Sequence, residues 1–387
     1  MTGPLFVVER DSQVAVYATD DGDQSIWMLQ QRHENALAVA ASADGQLLLS
    51  AFAAGDGSRA HLEYVAASGE RSLVPGSERE GVVAPGLPFY ATWAPSGVHA
   101  SFVANDGQQL VLYAWTPRAG TAPTQVTVGG PTFHVWSPGG SVLAVHTGED
   151  LSLAPPDGGE AIVVTREAAG FRVPAWSHDG ALLAWGKLSN EGTEIHVYED
   201  GVSRALRRFG GGVALAFRPG TRELTVAVEG GTGDGSFSGL YSLSDSPNLP
   251  PKKLSGGPLI AFAWSPASDR LAVVHPTQAG DGRYAVRIVD PEGRFLGATE
   301  AFFPSTVSRL SLGFFDQYNG SHPWWEPRGR GLVFCGRLGG DGVSDSFGDP
   351  EGGHALWSSG ERGQPLVLVG QGSSAFFSAP PPAATPM

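Results

Sequence analysis

Residues 171–200 read FRVPAWSHDGALLAWGKLSNEGTEIHVYED. An apolar run ends in Trp176-Ser177-His178-Asp179-Gly180, a second covers 181–186, and an alternating run at 194–198 follows a polar loop. Asp179-Gly180 is typical of a tight turn, because Gly tolerates a positive φ and Asp can hydrogen-bond to its own backbone. The flanking runs are rich in residues that suit a pleated, buried surface. The stretch therefore predicts strand, tight turn, strand, loop and strand.

The same five-residue motif recurs along the chain. Its central positions are residues 43, 95, 138, 178, 219, 266 and 327, at intervals of 40 to 61 residues. One four-stranded propeller blade takes roughly 40 to 50 residues. β-rich runs such as 47–52 and 182–186 follow the motifs, and most repeats then show a third and a weaker fourth run. The spacing predicts units of four antiparallel strands, with loop insertions in the wider intervals.

The two ends of the chain carry complementary, incomplete repeats. Residues 374–380 resemble a first strand with its motif, whereas 14–19 and 26–30 resemble second and third strands with no motif before them. We therefore expect an all-β fold: one closed β-propeller domain over residues 1–380, in which the terminal strands share one blade. Eight blades fit best, and seven remain an alternative if the terminal region or the region around Thr221 forms no full blade. Residues 381–387 are a Pro/Ala-rich tail.

The repeat resembles that of TolB-like, WD-repeat-related bacterial β-propellers. The shared pattern is W-S-P-D-G, a short apolar strand, a Gly/Asp loop and an I-x-V-x-D strand. Residues 176–200 match it best, with His178 in place of Pro, and 264–290 and 136–145 match in part. The resemblance covers nearly the whole chain. It implies the fold rather than an activity, because the family includes periplasmic scaffolds, peptidase-associated propellers and orphan cytoplasmic proteins.

Composition narrows the class of protein further. The chain has 54 Gly and 29 Pro and is 17% charged, which favours many short strands joined by turns. A net charge of −14 disfavours nonspecific binding to nucleic acid or anionic membranes. Cys335, the single cysteine of the sequence, is predicted to be a buried apolar residue. Without a signal-peptide pattern or a membrane-length apolar run, we expect a cytoplasmic protein with no membrane insertion and no nucleic-acid partner.

The best candidate site lies in the widest interval between motifs. Residues 313–325, GFFDQYNGSHPWW, set aromatic side chains beside hydrogen-bonding groups, as a small-molecule or peptide pocket requires. The predicted binding residues are Phe315, Asp316, Gln317, Tyr318, His322 and Trp324. A structural interpretation fits too and is the favoured one for the segment: the aromatic residues form core, and Asp316, Tyr318 and His322 hold an inserted loop through buried hydrogen bonds.

An acidic, Gly-rich stretch at 339–354 is the second candidate. Asp341, Asp345 and Asp349 are oxygen donors that could hold Ca²⁺. Their spacing differs from that of known calcium loops, which favours a solvated acidic loop.

Catalytic signatures are absent from the sequence. It contains no G-x-S-x-G elbow, H-E-x-x-H motif, paired C-x-x-C or phosphate-binding loop. We therefore expect no cofactor, and predict a non-catalytic binding or scaffold protein that presents a protein, peptide or small ligand on one face. The alternative is a propeller enzyme, a hydrolase or lyase acting on a sugar or peptide, whose His, Asp or Glu side chains gather at the central channel. The sequence leaves the oligomeric state open.

Overall fold

Short antiparallel strands make up most of the structure, a computed structural model that describes residues 4–9, 13–19, 26–52, 59–75, 77, 79–80, 90–105, 109–117, 121–168, 170, 172–230, 235–246, 248–277, 281–338, 353–361 and 364–378. The strands are β1 (Leu5–Glu9), β2 (Gln13–Thr19), β3 (Trp27–Glu34), β4 (Ala36–Ala41), β5 (Leu47–Phe52), β6 (Arg59–Val65), β7 (Arg71–Leu73), β8 (Arg79–Glu80), β9 (Ala91–Trp93), β10 (Ala100–Asn105), β11 (Leu110–Trp115), β12 (Thr124–Val128), β13 (Thr132–Trp136), β14 (Leu143–Thr147), β15 (Asp150–Ala154), β16 (Ile162–Thr165), β17 (Ala175–Trp176), β18 (Leu183–Ser189), β19 (Gly192–Glu199), β20 (Val202–Phe209), β21 (Val213–Phe217), β22 (Leu224–Glu229), β23 (Phe237–Leu243), β24 (Lys252–Leu259), β25 (Ala261–Trp264), β26 (Leu271–Pro276), β27 (Tyr284–Val289), β28 (Phe295–Ala298), β29 (Phe302–Pro304), β30 (Leu332–Leu338), β31 (His354–Ser358), β32 (Val367–Gln371) and β33 (Ser374–Phe377). Two helices, α1 (Thr306–Gly313) and α2 (Phe315–Tyr318), interrupt this series.

The sheets are antiparallel and are built mainly from strands that follow one another along the chain. Five four-stranded sheets have the orders β3-β2-β1-β33, β12-β11-β10-β9, β13-β14-β15-β16, β17-β18-β19-β20 and β21-β22-β23-β24. A fifth strand, β8, joins the sheet β4-β5-β6-β7 by pairing with β6. An eight-stranded sheet holds β25–β28 and β29–β32, which are connected by the single pair Tyr284 and Phe302. The prediction of four-stranded antiparallel sheets is confirmed.

The first and last described strands pair with each other. Leu5 lies opposite Phe377 and Val8 opposite Ser374. One detail of the prediction is wrong: β1 is the second strand of this sheet, so 13–19 and 27–34 form the third and fourth strands rather than the second and third. The run LFVVE is short, and its first three residues are buried without alternation, so it lacks the pattern of a half-exposed strand.

The predicted motif turn forms as expected in 176–180. The Gly180 N–H donates to the Ser177 carbonyl at 2.9 Å, and Gly180 has a φ of 71°. The Ser177 hydroxyl donates to Asp179 Oδ1 at 2.6 Å and accepts the Leu182 N–H at 2.8 Å. The hydrogen bond from Ser177 lowers the pKa of Asp179. Ser177, Asp179 and Gly180 thus fix the turn between two strands.

The core lies between neighbouring sheets. One apolar cluster joins Phe6 and Phe376 to Val39 and Leu49 of the next sheet, and similar clusters join each later sheet to the one after it. Another cluster returns from Trp357 of β31 to residues of β1, β2 and β33. Cys335 belongs to this cluster and is 1% exposed, and its burial raises the thiol pKa to about 12, so the prediction of a buried cysteine is confirmed.

Candidate functional site

The predicted site segment, 313–325, begins at the last residue of α1 and contains the whole of α2, which lies against strands of several sheets. The Ser305 hydroxyl caps α1 by accepting the Ser308 N–H at 3.0 Å. Helix α2 contacts β13, β21 and β25, each of which is the first strand of its four-stranded set. The segment therefore lies where these first strands come together.

Phe315, the first residue of α2, is a core residue. It is 1% exposed, and its ring centroid lies 4.9 Å from that of Phe262 and 6.0 Å from that of Phe237. This burial fits the structural interpretation of the segment.

Asp316 fastens α2 to the chain that precedes β17. Its side chain is 3% exposed, Oδ2 accepts the Val173 N–H at 3.2 Å, and Oδ1 lies 3.6 Å from Arg172 Nη1. Burial raises the pKa of Asp316, and the Arg172 guanidinium and the backbone N–H groups oppose that rise. Asp316 is thus a buried carboxyl whose anchoring partners come from a distant part of the chain.

Gln317 and Tyr318 both contact Tyr90. The Tyr90 hydroxyl donates to the Gln317 carbonyl at 3.0 Å. The Tyr90 ring lies edge-on to Tyr318 at 5.6 Å and to His134 at 5.0 Å between centroids. Burial raises the pKa of Tyr318 to about 12. These contacts hold α2 in place through packing and one backbone acceptor.

His322 is held as a neutral ring. Its Nδ1 lies 2.6 Å from Ser321 Oγ, and its ring centroid lies 4.1 Å from that of Phe376. Burial lowers the pKa of His322 to about 3, although a backbone hydrogen bond with Val39 partly opposes this effect. His322 therefore connects the segment to β33 and β4.

Trp324 differs from the buried anchors described above: it lines a pocket of about 350 Å³ beside α2. We call this space the aromatic pocket. Its aromatic lining consists of Tyr90, Trp93, His134, Trp136, Trp176, Phe217, Trp264, Trp324 and Trp325. Three motif prolines (Pro95, Pro219 and Pro266) and Asp316, Gln317, Asn319 and Gly320 lie in the same lining. Of the six predicted site residues, the pocket brings together Asp316, Gln317 and Trp324, whereas Phe315, Tyr318 and His322 lie outside its lining.

Three of the motif tryptophans connect one sheet to the next. Trp93 Nε1 donates to the Ala40 carbonyl at 3.0 Å, and Trp325 Nε1 donates to the Ala263 carbonyl at 2.9 Å. Trp264 Nε1 donates to Thr225 Oγ1 at 2.8 Å. These residues act in packing between sheets, as their repetition predicts, and they also present ring surface to the pocket.

Four other side chains of the pocket lining leave a buried polar atom without a hydrogen-bond partner among the described residues. These atoms are Trp136 Nε1, Trp176 Nε1, His134 Nδ1 and Asn319 Oδ1. The opposite ends are fixed in two cases, since His134 Nε2 lies 2.9 Å from Ser101 Oγ and Asn319 Nδ2 donates to the Phe262 carbonyl at 3.0 Å. The lining thus combines apolar ring surface with two indole donors and an amide acceptor.

Sequence reasoning missed several residues of this site. Tyr90, His134 and Arg172 lie far from the helical segment along the chain, in stretches that resemble ordinary repeats. One signal was available: the motif aromatic residues recur at one end of most first strands, so they were bound to converge if the strands surround one axis. That convergence indicates a binding surface as well as core.

The predicted metal site lies outside the described residues, because Asp341, Asp345 and Asp349 fall in 339–352. Within the described part of the chain, no three His, Cys, Asp or Glu side chains are grouped closely enough to hold a metal ion. Neither described helix has the length and apolarity needed to cross a membrane.

Comparison with known proteins identifies the fold. No family model matches the chain. Tricorn protease homolog 1 of Streptomyces coelicolor is 25% identical over 182 residues, which are 45% of this chain and 15% of that protein. The chain thus spans less than a sixth of this curated relative.

Solved structures give the more extensive likeness. Puromycin hydrolase is 18% identical with a TM-score of 0.51, over 86% of this chain and 53% of its own. A prolyl endopeptidase is 15% identical with a TM-score of 0.50, over 68% of this chain and 42% of its own. TolB from Acinetobacter baumannii is 15% identical with a TM-score of 0.43, over 82% of this chain and 78% of its own. These likenesses concern the fold alone: the chain has a β-propeller fold, as the resemblance of its repeat implies.

Proposed function

We propose that the protein is a non-catalytic binding β-propeller that captures an extended, apolar peptide segment of a partner protein in the aromatic pocket. The observation that carries the proposal is the set of unpartnered polar atoms in the lining. A buried donor or acceptor left without a partner costs about 1–3 kcal/mol. An incoming group that satisfies these atoms therefore recovers free energy that the unliganded protein lacks.

A peptide backbone has the chemistry that the pocket needs. Its carbonyl groups can accept from Trp136 Nε1 and Trp176 Nε1, and its N–H groups can donate to Asn319 Oδ1. The ring faces around these atoms suit apolar side chains, and proline-rich segments dock in aromatic-lined grooves elsewhere for the same reason. The partner segment should therefore be extended, rich in apolar residues or proline, and poor in charge.

The proposal includes a closed ring of eight blades. Eight successive four-stranded sets support this number, and both regions that could have reduced it to seven are four-stranded: β21–β24 and the sheet of β33 with β1, β2 and β3. Apolar clusters that run from each sheet to the next and back to the first support closure. Val7 and Ala375 lie opposite each other on the paired terminal strands. If the terminal blade closes the ring, the double variant Val7→Cys, Ala375→Cys should form a disulfide that raises the unfolding temperature.

The test of binding uses indole donors removed one at a time. Peptides of about twelve residues are selected from a displayed random library against the wild-type protein, and their dissociation constants are measured by fluorescence anisotropy. Trp136→Phe and Trp176→Phe keep an aromatic ring, although a smaller one, and remove the indole N–H, so each should weaken binding by roughly 5- to 100-fold. Trp27→Phe is the matched control, because Trp27 Nε1 is also buried and unpartnered among the described residues but lies outside the pocket.

The outcomes separate cleanly. Selection of apolar or proline-rich peptides, with loss only in the two pocket variants, supports the proposal. Failure to select any peptide, or equal binding by all variants, contradicts it. Affinity capture from native cells then identifies the natural partner as a protein that the wild type retains and the Trp176→Phe variant loses.

A propeller enzyme is the second candidate, and one observation favours it. Asp316, whose pKa is raised by burial, and His134 line the same pocket. A carboxyl of raised pKa and an imidazole in one pocket are residue types used in general acid–base catalysis. Hydrolysis or elimination on peptide or oligosaccharide substrates that is lost in Asp316→Asn would establish this candidate. Binding of selected peptides without any turnover would favour the binding protein.

A further inference from the structure

A second cleft lies beside the turn between α1 and α2, and its lining includes Arg172, Gly313 and Phe314. Its volume is about 350 Å³, within the range of sites that enclose small molecules. We call it the His146 cleft. Apolar side chains such as Leu151, Trp185 and Val213 form much of its wall, and Phe314 borders it with 44% of its surface exposed.

His146 supplies a hydrogen-bond acceptor in this lining. The residue is 4% exposed, and its Nδ1 lies 2.9 Å from the Arg172 carbonyl oxygen. A carbonyl oxygen can only accept, so Nδ1 carries a proton, and in the neutral form of the ring Nε2 keeps its lone pair. Nε2 is buried and has no hydrogen-bond partner among the residues that the structure describes. The backbone thus fixes a single tautomer with an unused acceptor.

Glu229 supplies a carboxylate to the same cleft. Its Oε1 accepts from Arg172 Nη2 at 3.1 Å, which leaves Oε2 without a hydrogen bond in the described part of the chain. The side chain is 38% exposed, so solutes can reach it. Gly212 leaves room for the carboxylate, because a Cβ at that residue would lie 2.2 Å from Glu229 Oε2.

The charge distribution favours a cation over an anion. The single guanidinium of Arg172 already serves Glu229 and also lies 3.6 Å from Asp316 Oδ1. An anionic ligand would have to compete with these carboxylates for Arg172, whereas a cation would meet the open Glu229 oxygen directly. The aromatic rings of Trp185 and Phe314 can add cation–π attraction.

We propose that the His146 cleft binds a small organic ammonium ion, a primary amine with a short apolar or aromatic body. Its N–H groups donate to His146 Nε2 and Glu229 Oε2, and its apolar part packs against Leu151, Trp185 and Phe314. The net charge of −14 raises the local concentration of such cations. The cleft shares Val173, Pro174 and Leu215 with the lining of the aromatic pocket, but none of the residues proposed to hold the ammonium ion belongs to that lining. Ammonium binding and peptide binding can therefore be tested with different variants.

Three probes of similar shape and different charge test the proposal. Benzylammonium, benzyl alcohol and benzoate are titrated into the full-length protein by isothermal titration calorimetry at pH 7 and low salt. Benzylammonium should bind one-to-one and at least about tenfold more tightly than either other probe, which corresponds to about 1.4 kcal/mol. Equal binding of benzoate, or no saturable binding of benzylammonium, would overturn the proposal.

Variants locate the binding in the cleft. Glu229→Gln should weaken benzylammonium binding about tenfold or more, and His146→Phe should do the same while it keeps a ring in place. Glu223→Gln is the matched control, because Glu223 pairs with Arg218 at 3.0 Å outside the cleft. Unchanged affinity in Glu229→Gln would refute the assignment even if His146→Phe fails to fold.

A ¹⁵N measurement tests the acceptor directly. In imidazole-labelled protein, the Nε2 resonance of His146 should be that of an unprotonated nitrogen, and benzylammonium should shift it. A protonated Nε2 in the free protein, or a resonance that ignores the ligand, would contradict the geometry.

Discussion

His134 should make the protein sensitive to mild acid. The residue is 1% exposed, and burial lowers its pKa to about 3. In an unfolded chain the pKa of His is about 6.5, so the unfolded state binds the proton first as the pH falls. Stability from the neutral, buried ring is therefore complete above about pH 6.5 and is lost progressively as the pH falls toward 3.

The magnitude follows from these two pKa values. Each pH unit in the window costs about 1.4 kcal/mol. At pH 4, about 2.5 units below the unfolded pKa, the contribution of His134 to the free energy of unfolding should have fallen by about 3 kcal/mol. His134→Gln removes the titration, so the difference in unfolding free energy between wild type and variant should change by that amount between pH 7 and pH 4.

The assay is urea unfolding followed by tryptophan fluorescence at several pH values. Subtracting the unfolding free energy of the variant from that of the wild type cancels the contributions of titrating groups that both proteins share. One such group is His322, whose pKa burial also lowers. His178→Gln is the control for the substitution itself, because it makes the same change at an exposed residue, and its unfolding is measured at the same pH values. A wild-type-minus-variant difference for His134 that is equal at pH 7 and pH 4 would refute the reasoning.

Three further predictions concern the scaffold. Gly192→Ala should destabilise the protein by several kcal/mol in urea unfolding, because Gly192 has a φ of 117° and a Cβ there would lie 2.0 Å from a backbone oxygen of the next strand. Gly139→Ala is the control, because a Cβ there meets nothing within 4 Å, and it should change the free energy of unfolding by no more than about 1 kcal/mol. Equal effects of the two substitutions would contradict the geometry. Arg172→Met should lower the free energy of unfolding by about 2–4 kcal/mol, because it leaves the buried carboxyl of Asp316 without its counter-charge. Adding Asp316→Asn should recover part of that loss. Strict additivity of the two substitutions in this double-mutant cycle would show that the two side chains do not interact. Burial raises the pKa of the Cys335 thiol to about 12, so Cys335 should resist alkylation by iodoacetamide at pH 8 until the protein unfolds. Intact-mass spectrometry follows the labelling. Rapid labelling of the folded protein would show that the thiol is accessible.

The strands and turns could be predicted because their causes are local. A strand such as 47–52 follows from its own apolar residues, and it forms over those limits as β5. The turn at 176–180 follows from Ser177, Asp179 and Gly180, which bond to one another within a few residues. The shared terminal sheet could be predicted because each end lacked what the other supplied, although the apolar run of β1 gave no alternation from which to assign its place.

The site was predictable only in part. The composition of 313–325 marked an unusual segment, yet four of its six predicted binding residues are anchors, among them Asp316, which is tied to Val173 and Arg172. Phe315 packs in the core, and Tyr318 and His322 hold α2 against neighbouring elements. Aromatic and polar residues serve a pocket and a buried anchor equally well, so composition could not separate the two roles.

The sequence by itself determined the repeating antiparallel sheets, the turns between strands and the fold class, because these depend on side chains a few residues apart. Only the tertiary structure decided which residues surround α2. The Tyr90 hydroxyl reaches the Gln317 carbonyl across 227 residues, and Asp316 reaches the Val173 N–H across 143. Such contacts arise because sheets distant in sequence pack around one helical segment, and no local pattern of residues encodes which side chains will meet there.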